Sequence, residues 1–295
     1  MNTKNIYRPQ SFDFSSYIYL LPALFFYILF VLFPLGDTFY TSFTEWSGIG
    51  EKKWVGFEQY TKNLSDKKIT SSIIHSFILI IFYSIIPIII GLMIAGLMIR
   101  VKIRGLTFYR SILFLPQILS MIVVGISWRW IYAPKGPLNS GLDAIGLENV
   151  SRAWLGSFDY SLIAVGMIGT WVMFGFAMIL FIAGVQKIPS ELYDAAKVDG
   201  AGAISEFFNV TLPGLRGEII VALVFTVTLA LRNFDLIFIT TGGGPGTATM
   251  IPSMFIYKKA FTMGQVGSAS SLGIMLTLLI FTFVSLILII FRERK

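Results

Sequence analysis

Six stretches of this chain, 17–35, 72–99, 111–132, 160–184, 218–240 and 270–291, are long and mostly apolar. A bilayer core about 30 Å thick needs roughly 20 such residues per helical crossing, so each stretch is long enough to be a membrane span. The rest of the chain supports that reading. Charged residues make up 13%, about half the share of about 25% typical of soluble proteins, and hydrophobic residues 55%. A water-soluble enzyme needs more charged surface, and a disordered chain needs far lower hydrophobicity. Cysteine is absent and histidine occurs once, at His75, which removes disulfides, thiolate metal sites and His-rich metal sites. The expected fold is all-α: one transmembrane domain over 17–291 with six helices, between short cytoplasmic segments at 1–16 and 292–295.

Charge sets the expected orientation. The loop 100–110 carries Arg100, Lys102, Arg104 and Arg110 and no acid, which places it in the cytoplasm. With six spans both termini then lie inside as well, in agreement with Arg292, Arg294 and Lys295. The net charge of +7 reads as basic cytoplasmic loops and not as nucleic-acid binding. Lys4 and Arg8 precede the first apolar run, but no small-residue cleavage site follows it, so it is expected to stay as a span. Trp46, Trp54, Trp128 and Trp130 fall near outer boundaries, where tryptophan anchors in the lipid interface; Trp128 and Trp130 are also candidates for stacking on a sugar. Pro22, Pro34, Pro87 and Pro116 mark expected kinks, and Gly91 with Ala95 and Ala269 with Gly273 mark expected close helix contacts.

The loop between spans four and five, 188–213, carries the most information. Pro189-Ser190 is a helix start with Ser190 as the expected N-cap, and Glu191 and Asp194 sit in the first turn, where the helix dipole favours acids. Leu192, Ala195, Ala196 and Asp199 recur at helical spacing and form a narrow face of small residues. Gly200 can end the helix in the left-handed conformation. A second short helix is expected from Ala203 to about Asn209, before Pro213. The small-residue face has little core of its own to cover and suits docking into a groove on another protein.

The run Ser190-Glu-Leu-Tyr-Asp-Ala-Ala-Lys-Val-Asp-Gly-Ala201 resembles the EAA loop of binding-protein-dependent ABC-transporter permeases, in the carbohydrate-uptake branch of the maltose and glycerol-phosphate type. The stretches Trp128-Arg-Trp-Ile-Tyr132 with Gly136-Pro-Leu-Asn139, Phe234-Asp235 with Thr241-Gly-Gly-Gly-Pro245, and Tyr257 to Ser271 are similar to the same family. The resemblance implies a permease in a bacterial or archaeal cell membrane, surrounded by lipid. Its implied partners are a second homologous permease, two ATP-binding cassette subunits and an extracytoplasmic solute-binding protein that delivers a carbohydrate. It further implies that Glu191, Leu192, Asp194, Ala195, Ala196, Asp199, Gly200 and Ala201 couple the permease to the ATPase. Aspartate stands at 194 where the family usually has glutamate, and Asn209 where a basic residue is common.

Other signals are weaker. Gly200-Ala-Gly202 lacks the third glycine and the preceding strand of a dinucleotide site, and Gly242-Gly-Gly-Pro-Gly246 lacks the lysine of a phosphate loop. With no Walker motif, this chain is not expected to hydrolyse ATP or to hold a cofactor or metal. Arg232 and Asp235 are intramembrane charges three residues apart. They could share a helix face and line a substrate pathway, or form a structural pair. A secondary carrier working without an ATPase is the alternative, although no inverted repeat is visible. An intramembrane enzyme would need a catalytic set within the spans, and none is visible.

Overall fold

The structure, a computed structural model, describes residues 18–98 and 105–292. Lys4, Arg8, Arg100, Lys102, Arg104, Arg294 and Lys295 lie outside the described residues, as does the segment 1–16. The chain is all-α. Among the described residues, five single helices are long and apolar enough to cross a membrane: Leu21–Thr41, Lys67–Leu97, Ser161–Val185, Arg216–Thr240 and Val266–Ile290. The strand pairing among the described residues is one two-residue ladder, Thr44 opposite Trp54 and Glu45 opposite Lys53.

The third expected span, 111–132, is not one helix. It is a pair, Thr107–Ile118 and Met121–Ile131, bent by 96°. Leu119 and Ser120 hold the bend in extended backbone, with ψ of 143° and 134°. Pro116, just before them, has no N–H to give to the preceding turn. The pair still runs from one end of the bundle to the other. It begins after the helix whose Gly96 packs on Phe207 of the 188–213 loop. It finishes at Tyr132, whose hydroxyl donates to the Ala164 carbonyl at the opposite end of helix 161–185. Counted as one broken crossing, it brings the total to six.

Helix 161–185 is the pillar of the bundle. Its N-terminal half buries Val165, Ile168, Val172 and Met173 against Leu79, Tyr83, Ala230 and Ile237; its C-terminal half buries Ala177, Met178 and Phe181 against Ile88, Ala95, Leu215 and Ala222. In lipid the hydrophobic effect between helices is weak, so association depends on close packing at small residues. Gly169 receives the Tyr83 ring, Gly175 the Leu113 carbonyl and Gly91 the backbone of Ala177. The Gly91 and Ala95 face therefore packs as expected. Ala269 is buried too, but Gly273 faces open space.

Three of the prolines bring a wide turn instead of a kink. The π-helical segments Ile28–Leu32, Ile81–Ile85 and Phe207–Thr211 each end two residues before a proline, Pro34, Pro87 and Pro213. In each, the N–H before the proline bonds five residues back: Phe33 to Ile28, Ile86 to Ile81, Leu212 to Phe207. The next donor in that register would be the proline, which has none. At Pro87 this leaves the Phe82 carbonyl without its helical partner, and the Thr170 hydroxyl supplies the bond at 2.7 Å.

Candidate functional site

In the 188–213 loop, helix Ser190–Val198 starts one residue earlier than expected from a Ser190 cap. Pro189 is the cap residue (ψ 134°), Ser190 is already helical, and no side chain closes the first turn. At its other end Gly200 takes φ +78°. The Gly200 N–H bonds the Lys197 carbonyl at 3.0 Å and the Ala201 N–H bonds Ala196 at 2.8 Å, a complete Schellman closure. The second helix runs over 203–214, through Pro213, because the wide turn at 207–211 absorbs that proline.

The two helices meet at a buried contact. The Tyr193 hydroxyl meets Thr211 Oγ1 at 3.1 Å, and Tyr193 is the buried residue of its helix. Everything on the opposite side is open. Glu191, Leu192, Asp194, Ala195, Asp199 and Gly200 are exposed, with Ala196 and Ala201 half-buried. Val198 is 88% exposed, a large apolar side chain that the chain itself does not cover. Asp194 forms an exposed ion pair with Lys197 at 3.3 Å. Asn209 donates to Ser205 Oγ at 3.0 Å. At the base of the loop, Lys187 Nζ lies 3.0 Å from Glu218 Oε1, joining the end of helix 161–185 to the start of helix 216–231. Arg216 donates to the carbonyls of Phe291 and Arg292, closing the end of the last span.

Arg232 and Asp235 do not share a helix face. The fifth span is interrupted between them: helix Arg216–Leu231 ends, residues 232–234 leave the helix, and a short helix resumes at Asp235–Thr240. Both charges are exposed, and among the described residues no ion pair joins them. The interruption is pinned by Asn233. Its amide donates to the Tyr83 hydroxyl at 2.8 Å and its carbonyl accepts from Ser253. An open groove of about 500 Å³, lined by Val221, Val224, Phe225 and Thr228, runs along this helix to Arg232. Broken helices at membrane depth are tolerated where they line a cavity or are buried in protein.

The two tryptophans separate. Trp128 is half-buried, its ring 5.0 Å from Tyr132 and 5.5 Å from Trp171; Trp130 is 67% exposed. His75 anchors the Met250 carbonyl at 2.8 Å. Three organising residues carried no separate signal in the sequence: Tyr193, Asn233 and Asn139. Asn139 is buried and binds the carbonyls of Ala133 and Arg152 and the Trp154 indole, so it shapes the loop after the third span.

A family model described as "Binding-protein-dependent transport system inner membrane component" matches residues 87–294. The chain is 36% identical over 260 residues to the "Probable ABC transporter permease protein YurN" of Bacillus subtilis, covering 87% of this chain and 89% of that protein. It is 31% identical to the diacetylchitobiose uptake system permease protein NgcF of Streptomyces coelicolor, over 90% of this chain and 79% of that protein. It is also 31% identical to the trehalose/maltose transport system permease protein MalF of Thermococcus litoralis, over 95% and 94%. Its fold matches a chain of a bacterial ABC transporter involved in the import of the acidic polysaccharide alginate, with a TM-score of 0.82, 23% identity and 96% coverage of both chains.

Proposed function

We propose a function from one established premise: the chain belongs to the family of binding-protein-dependent transport system inner membrane components. It is the permease subunit of an ATP-driven importer, and its cargo is a carbohydrate delivered by an extracytoplasmic binding protein. It is a multi-pass membrane protein that forms half of the pathway, as a single domain over 17–291 with both termini in the cytoplasm. A second permease completes the pathway, and two ATP-binding cassette subunits supply the hydrolysis.

The observation that carries this reading is the uncovered face of helix 190–198. Leu192, Ala195, Val198 and Asp199 lie open, with Ala196 half-buried beside them, on a helix whose other side is fastened by Tyr193. A groove on the ATPase subunit covers that face. Closure of the ATPase pair on ATP moves the coupling helices. The Lys187–Glu218 pair passes that motion into spans four and five. Two states a few kcal/mol apart, biased by ATP and by the loaded binding protein, suffice for alternating access. The sugar passes the interruption of span five, where Arg232 and Asp235 are open to hydroxyl groups and Trp130 offers a flat face. Trp128 holds the wall behind it.

The test is to tag the chain, extract it gently, and identify what copurifies by mass spectrometry while measuring sugar uptake in vesicles. The expected result is a second six-span permease, a chain with a Walker motif, and uptake stopped by vanadate. Gly200→Asp is expected to reach the membrane at normal levels and to abolish uptake. Uptake by the chain alone that ionophores stop and vanadate spares would establish a secondary carrier instead.

A further inference from the structure

One cavity plays no part in the mechanism above. It measures about 310 Å³ and lies where the strand pair, helix Glu58–Ser65 and the lead into the last span meet, on the face that the proposed orientation turns outward. Glu45, Trp46, Gln59, Lys62, Lys259 and Gln265 line it. Its volume is at the small end of ligand pockets, which run from roughly 300 to 1,000 Å³, so it suits a single ring better than a long ligand.

Gln59 is buried, at 6% exposure, and is one of the residues that line the cavity. A carboxamide lining a cavity can both donate to and accept from a ligand there. Beside it, Lys259 is held by an ordered polar chain. Its ammonium donates to Ser268 Oγ at 2.9 Å, Ser268 Oγ donates to Asn63 Oδ1 at 3.1 Å, and the Asn63 amide donates to Ser271 Oγ at 2.8 Å. Burial pulls the Lys259 ammonium below the ordinary lysine range, and the charge of Asp66 opposes that shift. Trp46 forms an aromatic wall, its ring 4.6 Å from Lys52 Nζ.

The charges decide the chemical class. Two ammonium groups line the cavity, but Lys62 is paired with Glu58 at 2.7 Å, Glu45 adds a further carboxylate, and the charge of Asp66 acts on Lys259. The surroundings have no excess of positive charge, so an anionic ligand gains little. A neutral ring with hydroxyls that both donate and accept matches the carboxamide of Gln59, the ammonium of Lys259 and the carboxylate of Glu45. Its apolar face matches the indole of Trp46.

We propose that this cavity is an outer carbohydrate subsite that binds one neutral sugar ring of the cargo, between the strand pair and the last span. The inference rests on the reading of the chain as a carbohydrate permease.

The test uses the whole transporter in nanodiscs without its binding protein. Saturation-transfer NMR measures binding of maltose, trehalose, maltotriose and diacetylchitobiose to wild type and to Gln59→Met, Lys259→Met and Trp46→Phe. At least one sugar is expected to bind wild type, with its Kd raised about tenfold or more in Gln59→Met and Lys259→Met and nearly kept in Trp46→Phe. The affinity of the transporter for its copurified binding protein is expected to stay unchanged. The lysine variant carries the test if Gln59→Met fails to assemble. Absence of binding to wild type overturns the subsite, as does equal binding by all variants. Loss of binding-protein affinity with unchanged sugar binding also overturns it and assigns the cavity to protein docking. ATP-driven uptake of a cargo other than a sugar would instead sink the reading on which the subsite rests.

Discussion

Gly200 shows how one residue can be legible and its neighbours not. Its left-handed backbone follows from the glycine and its place after the last helical residue, and the structure adds the two closing bonds. A Cβ there meets nothing within 4 Å, so the constraint is conformational and not steric crowding. Gly200→Val is therefore expected to cost about 1–2 kcal/mol in the local closure, as a left-handed β-branched residue, whereas Gly200→Asn keeps most of it. Sugar-stimulated ATP hydrolysis by the purified complex checks this ranking; equal activity of the two variants would remove the role given to the turn. A serine after a proline fits either the cap or the first helical position, so spacing alone does not place Ser190; the proline's own extended ψ does. For Arg232 and Asp235, three-residue spacing implies a shared face only where the helix is continuous, and between them it is not. Nothing in Leu231-Arg-Asn-Phe-Asp235 says that Tyr83 and Ser253, far away in the chain, hold Asn233 out of the helix.

At the scale of the element, apolar run length located the five single spans and the bent pair, and proline marked several irregularities but not what form those take, while the interruption at 232–234 carries no proline. Pro34, Pro87 and Pro213 are absorbed by a wide turn, while Pro116 precedes a 96° bend. The difference lies in partners that sequence spacing does not reveal. Thr170 comes from another helix to take the carbonyl freed near Pro87. Thr170→Val keeps the shape and removes the donor, so it is expected to destabilise the bundle by about 1–3 kcal/mol, the cost of a buried unpaired acceptor. Thr170→Ser should keep most of the stability. Melting of the detergent-solubilised complex compares them, and a valine variant as stable as wild type would show that another donor fills the gap. Within the 188–213 helix pair, Tyr193→Phe removes the bond to Thr211 and is expected to cost about 0.5–1.5 kcal/mol there. The expected readout is normal assembly with weaker sugar stimulation of ATP hydrolysis.

For the whole molecule, the absence of cysteine makes orientation directly measurable. Thr247 and Ala203 are both exposed, at the two ends of the bundle. A membrane-impermeant maleimide is expected to label Thr247→Cys in intact cells and Ala203→Cys only after the membrane is opened; the reverse pattern would turn the chain over. The helix Leu21–Thr41 buries almost nothing, while the strand pair that follows it is fastened to the far end of the sequence. The Gly267 N–H bonds the Trp46 carbonyl, and Asn63 holds Ser268 and Ser271. Translation makes those partners more than two hundred residues apart. A nascent chain has its first helix and strand pair in place early, but they wait without a counterpart until residue 266 has left the ribosome. The seam with that counterpart can therefore close only late in synthesis, and a chain cut short before the final span is expected to leave it open to proteases.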